Sequence, residues 1–443
     1  MLYDAHLFIL TIDKKTKNII ISKKLKIKAL SIPIEYIKTA LLCFMFLNIY
    51  LEVPFDLGNG KVLPAYPYIL SIPFVFIVNK KNILNDDLRF VIKIFIILVL
   101  SVIFSVGYEY WQNKISGILQ TIVSLVASLL FFRLIILVNC RKIEKILFIW
   151  LIIIMVGVVL EFIGPLKLLS DSFRQWAYSS GGYGLYENDF RDLAMLGHIR
   201  PKFLASEPSV LAIGFMVSLN CWLLLRPIFN RYISVIIAEI ISIFIIGSPI
   251  MLLSIFLTII LFMTIQNKKK QYIASSVTIA GSIIGSILVL FYNNMIINRL
   301  NPDNFGVDVA GNSSENIRLI LPLVAALNVN KQFPLFGVGI SGKQSAIDIM
   351  NIPLIEPNYL VSNNIAALLI YFGVFGSVIL VYCIIRYLKK SGIRRIMLLF
   401  LFWICLAISM GGFESPRFWG YMFFIAGIFY HADKNMFSIK NNS

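Results

Sequence analysis

Apolar stretches long enough to cross a bilayer recur from Ile37 almost to the end of the chain. Runs of roughly 17–25 apolar residues have the length of membrane helices. Window hydropathy reads about twelve of them, at roughly 37–55, 62–79, 90–108, 115–138, 146–164, 207–225, 232–247, 249–266, 272–292, 365–385, 396–411 and 417–431. Composition agrees: 58% of residues are hydrophobic and 14% charged, and the mean hydropathy is +0.83. Charged residues make up about 25% of ordinary soluble domains, so that class is excluded. The sequence predicts an all-α polytopic membrane protein. Residues 1–36 form a basic segment, 37–431 the membrane domain and 432–443 a tail.

The formal net charge of +17 would suggest nucleic acid in a soluble protein. Here Lys and Arg cluster in alternate connections: Lys80 and Lys81; Arg141, Lys142 and Lys145; Arg226 and Arg231; Lys268, Lys269 and Lys270; Arg386 to Arg395. By the positive-inside rule these connections and both termini face the cytoplasm, and a nucleic-acid partner is rejected. The N-terminal segment carries seven lysines between Lys14 and Lys28 and no small-residue cleavage site, so it reads as cytoplasmic rather than as a signal peptide. The cysteines Cys43, Cys140, Cys221, Cys383 and Cys405 fall in spans or at their inner ends. No spacing of Cys or His suits a metal, and no cofactor is expected.

Two outer connections are too long to be plain linkers, 165–206 and 293–364. The first ends HIRPKFLASEPSVLAIGF (His198–Phe215), placing Arg200, Lys202 and Glu207 against an apolar run. It also holds an acidic group, Glu187, Asp189 and Asp192, that Arg191 is expected to offset. Charges at a membrane boundary ask for a reason. Guanidinium groups hold a diphosphate bidentately, which makes Arg200 and Arg318 candidates, with Arg191 and Lys202 beside them as substrate contacts. The alternative for each cation is loop solubility. Glu207-Pro208 is equally ordinary helix-start chemistry or a proton acceptor that orients Arg200. His198 could be a general base. In the second connection ILPLVAALNV, from Ile320, is too short to span and reads as a surface helix capped near Ser313 or Ser314. The following FGVGISG reads either as a tight turn or as a nest of N–H groups at Gly337 and Gly339. Glu239 lies mid-span, either functional or paired with Ser or Asn. Glu414 and Arg417 flank the last outer turn and are expected to pair.

Three stretches resemble the Wzy-type O-antigen and capsule repeat-unit polymerases, within the superfamily that includes the O-antigen ligases. They are RPKFLASEPSVLA (Arg200–Ala212), Arg318 with PLFGVGISG (Pro334–Gly342), and PNYLVSNNIAALLIYFGVFGSVIL (Pro357–Leu380). The ligases place His before the position of Asn358, where this chain has Pro357. The resemblance implies a GT-C-like helical fold with two enlarged outer loops in the inner (cytoplasmic) membrane, its active site facing the periplasm or exterior. The implied chemistry transfers a glycan from undecaprenyl diphosphate onto a lipid-linked repeat unit, without metal or nucleotide sugar. Arg200, Glu207, Arg318 and His198 would be catalytic. Arg191, Lys202, Gly337, Gly339, Asn358 and Arg417 would touch substrate. A flippase and a chain-length regulator would be partners in the pathway. A ligase of the same superfamily and a lipid-linked oligosaccharide flippase are the alternatives.

Overall fold

A computed structural model of the chain describes residues 34–58, 61–79, 85–179, 189, 192–193, 197–265, 321–350 and 360–440. Helices carry almost all of them. In chain order these are α1 (Ile34–Leu51), α2 (Tyr66–Leu70), α3 (Ile72–Asn79), α4 (Asn85–Ile103), α5 (Trp111–Leu137), α6 (Cys140–Ile163), α7 (Lys167–Tyr178), α8 (Pro208–Leu225), α9 (Phe229–Ile246), α10 (Ile250–Ile265), α11 (Leu321–Gln332), α12 (Lys343–Met350), α13 (Asn364–Lys390), α14 (Ile396–Ser409) and α15 (Pro416–Lys440). Among the described residues, α1, α5, α6, α8 and α13 are long and apolar enough to cross a membrane, and shorter apolar helices cover 66–78, 250–264 and 396–409. Large apolar side chains lie exposed on the bundle's outside, among them Phe76, Ile92, Ile152 and Val378. Lipid tolerates such a surface and water does not.

The bundle is built around α8 and the pair α5–α15. α8 is apolar on every side, and it buries almost every residue from Val210 to Leu225 against α6, α10 and α15. A helix with no polar face belongs in the centre. α15 packs most extensively on α5. A Cβ at Gly420 would stand 2.7 Å from Ile49, and one at Gly427 would stand 2.6 Å from Ile135. Small residues at these places are what let the helices close up where no hydrophobic effect drives them together.

Several features depart from the sequence expectation. Residues 55–58 and 61–63 are not helix end and turn but a pair of antiparallel strands, β1 (Phe55–Gly58) with β2 (Lys61–Leu63), pairing Phe55 with Leu63. Pro54 and Pro64 bracket it, and the residue before a proline is pushed toward extended backbone. The span expected at 62–79 therefore starts late and breaks at Ser71, since Pro73 cannot supply a helical N–H. α7 is a helix that the sequence reading leaves out of the first long loop. Where the surface helix is expected stands the helix α11, burying Ala325, Ala326 and Val329 against α13; its expected caps lie outside the described residues, as does the span expected at 272–292. α15 runs helical from the last expected span on into residues 432–440, with no Gly or Pro after Gly427 to stop it.

α13 is bent at Gly373, whose backbone (φ 62°, ψ −176°) is not helical. A kink frees carbonyls that hydrocarbon cannot satisfy. Each finds a partner: Leu368 O takes Ser377 Oγ at 2.9 Å, Leu369 O takes Asn330 Nδ2 at 3.0 Å, and Ile370 O and Tyr371 O take the N–H groups of Val338 and Gly339 at 2.9 and 3.0 Å. In return the N–H groups of Phe375 and Gly376 donate to Pro334 O and Leu335 O at 3.2 and 3.0 Å.

Candidate functional site

The stretch from Arg200 to Glu207 leads into α8 at one end of the bundle. Phe203 and Leu204 hold positive φ, 37° and 65°, a conformation that costs about 1–3 kcal/mol at each non-glycine residue. Side chains from three helices keep it there. Glu161, in the last turn of α6, accepts the N–H of Lys202 at 3.0 Å with one carboxylate oxygen and that of Phe203 at 2.6 Å with the other. Arg174 of α7 donates to Ala205 O at 3.0 Å and Ser206 O at 3.2 Å, while Asp171 holds its far end at 3.0 Å. Tyr50 of α1 donates to Phe203 O at 2.8 Å. The hydroxyl of Tyr178 lies 2.9 Å from Leu204 O and 2.7 Å from Leu51 O, one proton shared between two carbonyls. Burial raises the pKa of that phenol, so it stays a donor. The ring of Phe203 occupies a notch that α6 opens at Gly157.

This fixed backbone shapes a cleft of about 220 Å³ whose lining includes His198, Arg200, Lys202, Lys167, Glu161 and Asp171. Three sequence candidates of the first loop, His198, Arg200 and Lys202, thus meet in one place. Their charges are matched from their own loop. Asp192, 1% exposed, takes Arg200 Nε at 2.8 Å. Asp189 takes Lys202 Nζ at 2.6 Å and stands 3.7 Å from Lys167. Two of the acidic group, Asp189 and Asp192, engage these cations; Glu187, and Arg191 that is expected to offset the group, lie outside the described residues. His198 turns Nε2 toward Ile245 O at 3.3 Å and its ring edge to Phe162, with centroids 5.2 Å apart. In the neutral ring that contact puts the proton on Nε2 and makes Nδ1 the basic nitrogen.

The remaining candidates fall elsewhere. Glu207 is the N-cap of α8, with Pro208 in its first turn, and its carboxylate accepts from Ser209 Oγ. It is not among the described residues lining the cleft. The glycine turn does not offer its N–H groups to an anion. Those of Gly337, Val338, Gly339 and Gly342 donate to Phe333 O, Ile370 O, Tyr371 O and Gly339 O, so the nest is replaced by a splice onto the kink of α13. Arg417 reaches past its own turn to Glu52, Nη1 to Oε2 2.9 Å, and donates to Ile49 O at 3.2 Å. Glu414 accepts from Ser341 at 2.7 Å. Arg417 and the glycine turn therefore stand at the same end of the bundle as the cleft but outside its wall. Arg191, Arg318 and Asn358 lie outside the described residues.

Sequence reading misses several residues of this end. Glu52, Glu161 and Arg174 look like ordinary helix-end charges, and only the fold shows them gripping backbone or each other. Lys114 opens α5 in a connection that reads as poor in base. It is buried, and it donates to Ser105 Oγ at 2.8 Å and to Val106 O. In mid-bundle, Glu239 accepts from Ser254 at 2.5 Å and Thr258 at 2.8 Å, and Thr258 also lies 3.1 Å from Asn220 Oδ1. That is the pairing with neighbouring polar side chains weighed from the sequence. Among the described residues no group of three or more His, Cys, Asp and Glu side chains is placed to hold a metal ion. No protein-family model, curated protein or solved structure matches the chain.

Proposed function

We propose that this protein is a membrane glycosyltransferase that polymerises lipid-linked glycan repeat units at the outer face of the inner membrane. The observation that carries the reading is the convergence of His198, Arg200 and Lys202 on one cleft, joined by Lys167, at the end of a bundle of apolar helices. In this reading the chain crosses the membrane about twelve times with both termini inside, as the distribution of Lys and Arg requires.

The donor glycan, held on undecaprenyl diphosphate, presents its diphosphate to Arg200 and Lys202. Its charge lets it take over these cations from Asp192 and Asp189. An acceptor hydroxyl oxygen attacks the donor's anomeric carbon, and the bond from that carbon to the diphosphate oxygen breaks. The diphosphate leaves with the electron pair, and the hydroxyl proton passes to Nδ1 of His198. Charge grows on the leaving group, so a cation positioned there stabilises the transition state more than the ground state. Asp192 holds Arg200 by its Nε edge, which fixes the plane of the guanidinium before substrate arrives. Arg318, from the second loop, is the second arginine this reading assigns to the same diphosphate.

The test is polymerisation by the purified full-length protein supplied with undecaprenyl-diphosphate-linked repeat units, read as a ladder on gels. Arg200→Ala should cost roughly 10²–10³ in rate, the usual loss for one contact to a developing charge. Arg200→Lys should fall between the two, since it keeps charge and loses the fork. Full ladders from Arg200→Ala at matched protein level would remove the cleft from the chemistry. Transfer to a lipid A–core acceptor in place of a repeat unit would select the ligase reading.

A further inference from the structure

At the other end of the bundle, α4 and α13 part to leave a cleft of about 240 Å³. Among the described residues, Arg89 and Lys93 line it from α4, and Arg386 and Lys390 from α13, against one lining carboxylate, Asp86. Each pair is four residues apart, so each helix turns both of its cations to one side. Lys390 engages Asp86 at 2.6 Å. The next acid, Asp87, is already consumed by Arg133, at 3.0 and 2.6 Å, and by the Tyr387 hydroxyl at 2.7 Å. Four cations less one carboxylate leave a surplus of three positive charges around a small opening. Like charges gathered this way repel, and an anion resolves them.

The walls say which kind of anion. Phe90 stacked on Tyr387, with centroids 4.3 Å apart, closes off the interior. The opening faces outward, where the exposed apolar side chains are. On α13 a stripe of exposed Phe375, Ile379 and Tyr382 runs at helical spacing and ends at Arg386; on α4 one of exposed Ile96 and Ile92 ends at Arg89. An apolar stripe that stops at a cation, twice, side by side, has the profile of a lipid with chains in the hydrocarbon and phosphate at its edge.

We propose that this cleft binds the headgroup of an anionic membrane phospholipid, whose acyl chains lie along the two stripes. A headgroup with two phosphates fits the surplus of charge better than one with a single phosphate. The site is independent of the catalytic reading, being built from other residues at the opposite end.

The full-length protein, purified in detergent and stripped of lipid, is titrated with diphosphatidylglycerol, phosphatidylglycerol, phosphatidylethanolamine and inorganic diphosphate. Bound mass is read by native mass spectrometry, and the thermal unfolding midpoint in parallel. Diphosphatidylglycerol should bind tightest and raise the midpoint, and phosphatidylethanolamine should do neither. The double variant Arg89→Gln/Arg386→Gln should bind it about thirty-fold more weakly, taking each basic side chain's attraction to anionic lipid at its usual size. A control with the same loss of charge at exposed positions of that end, Arg141→Gln/Lys389→Gln, should bind as wild type. Size exclusion checks that both variants stay folded. Equal binding by the cleft and control variants would overturn the proposal, as would binding of phosphatidylethanolamine as tight as that of the anionic lipids. Inorganic diphosphate binding as well as the lipid would make this a site for soluble phosphate and overturn the lipid assignment.

Discussion

The two carboxylate oxygens of Glu161 each accept one backbone N–H, from Lys202 and Phe203, and an amide in the same place could accept only on one side. Glu161→Gln would turn its NH₂ against a buried N–H. It is expected to loosen residues 202–206 by about 1–3 kcal/mol, the cost of a buried polar group left unmet. Hydrogen exchange at Phe203 should accelerate while exchange in mid-α8 does not, and polymer synthesis should fall with it. Unchanged exchange at Phe203 would mean that Arg174, Tyr50 and Tyr178 suffice. How far such residues can be read from sequence follows from what they hold. Arg200 and Lys202 are legible, because cations beside an apolar run need an explanation there. Asp189 and Asp192 are visible as an acidic group, but no spacing rule tells which cations they serve when the partners are 8 and 13 residues on. Glu161 carries no signal, since its ligands are N–H groups that every residue owns.

At the scale of elements, hydropathy locates helices and is silent about how they are broken. The kink of α13 depends on Gly373, and its acceptors depend on Gly337. A Cβ at Gly373 would stand 2.5 Å from Pro334 O, and one at Gly337 would run into Ile370 O. The sequence shows glycines in both places and permits either a ligand-facing nest or a turn. Only the second chain segment, brought up against the first, decides between them. Either Gly373→Ala or Gly337→Ala should destabilise the protein by about 2–4 kcal/mol, at the upper end for a single change. A lowered thermal midpoint in detergent, of similar size for the two, is the expected result. The pair should be less than additive, since one interface is broken by both. The strand pair at 55–58 and 61–63 is the other element that hydropathy misses. Hydropathy puts only a turn between two spans there, and the prolines on either side favour extended backbone over helix.

For the molecule as a whole, the charges sort to two ends. Lys142 with Glu35, Lys390 with Asp86 and Arg395 with Asp433 lie at one; the cleft of Arg200, with Arg417 and Glu52, lies at the other. The proposed orientation makes the second end external. With the five native cysteines replaced, single cysteines at Gln112 or Ser172 should react with an impermeant thiol reagent in intact cells, and one at Lys389 only after permeabilisation. The reverse pattern would turn the protein over and leave the cleft facing the cytoplasm. α7 adds a property that belongs to no single residue. Its inward face carries Lys167, Asp171 and Arg174 to the cleft and its loop, while Leu168, Leu169 and Trp176 point outward, 83%, 64% and 71% exposed. A helix built this way floats at the boundary between headgroups and chains. In the proposed orientation it would act as a depth gauge, holding the cleft at a set height above the bilayer midplane. In membranes of longer or shorter acyl chains that height would no longer match where a lipid carrier presents its phosphates. Turnover in reconstituted vesicles should therefore peak at one bilayer thickness and fall on both sides of it.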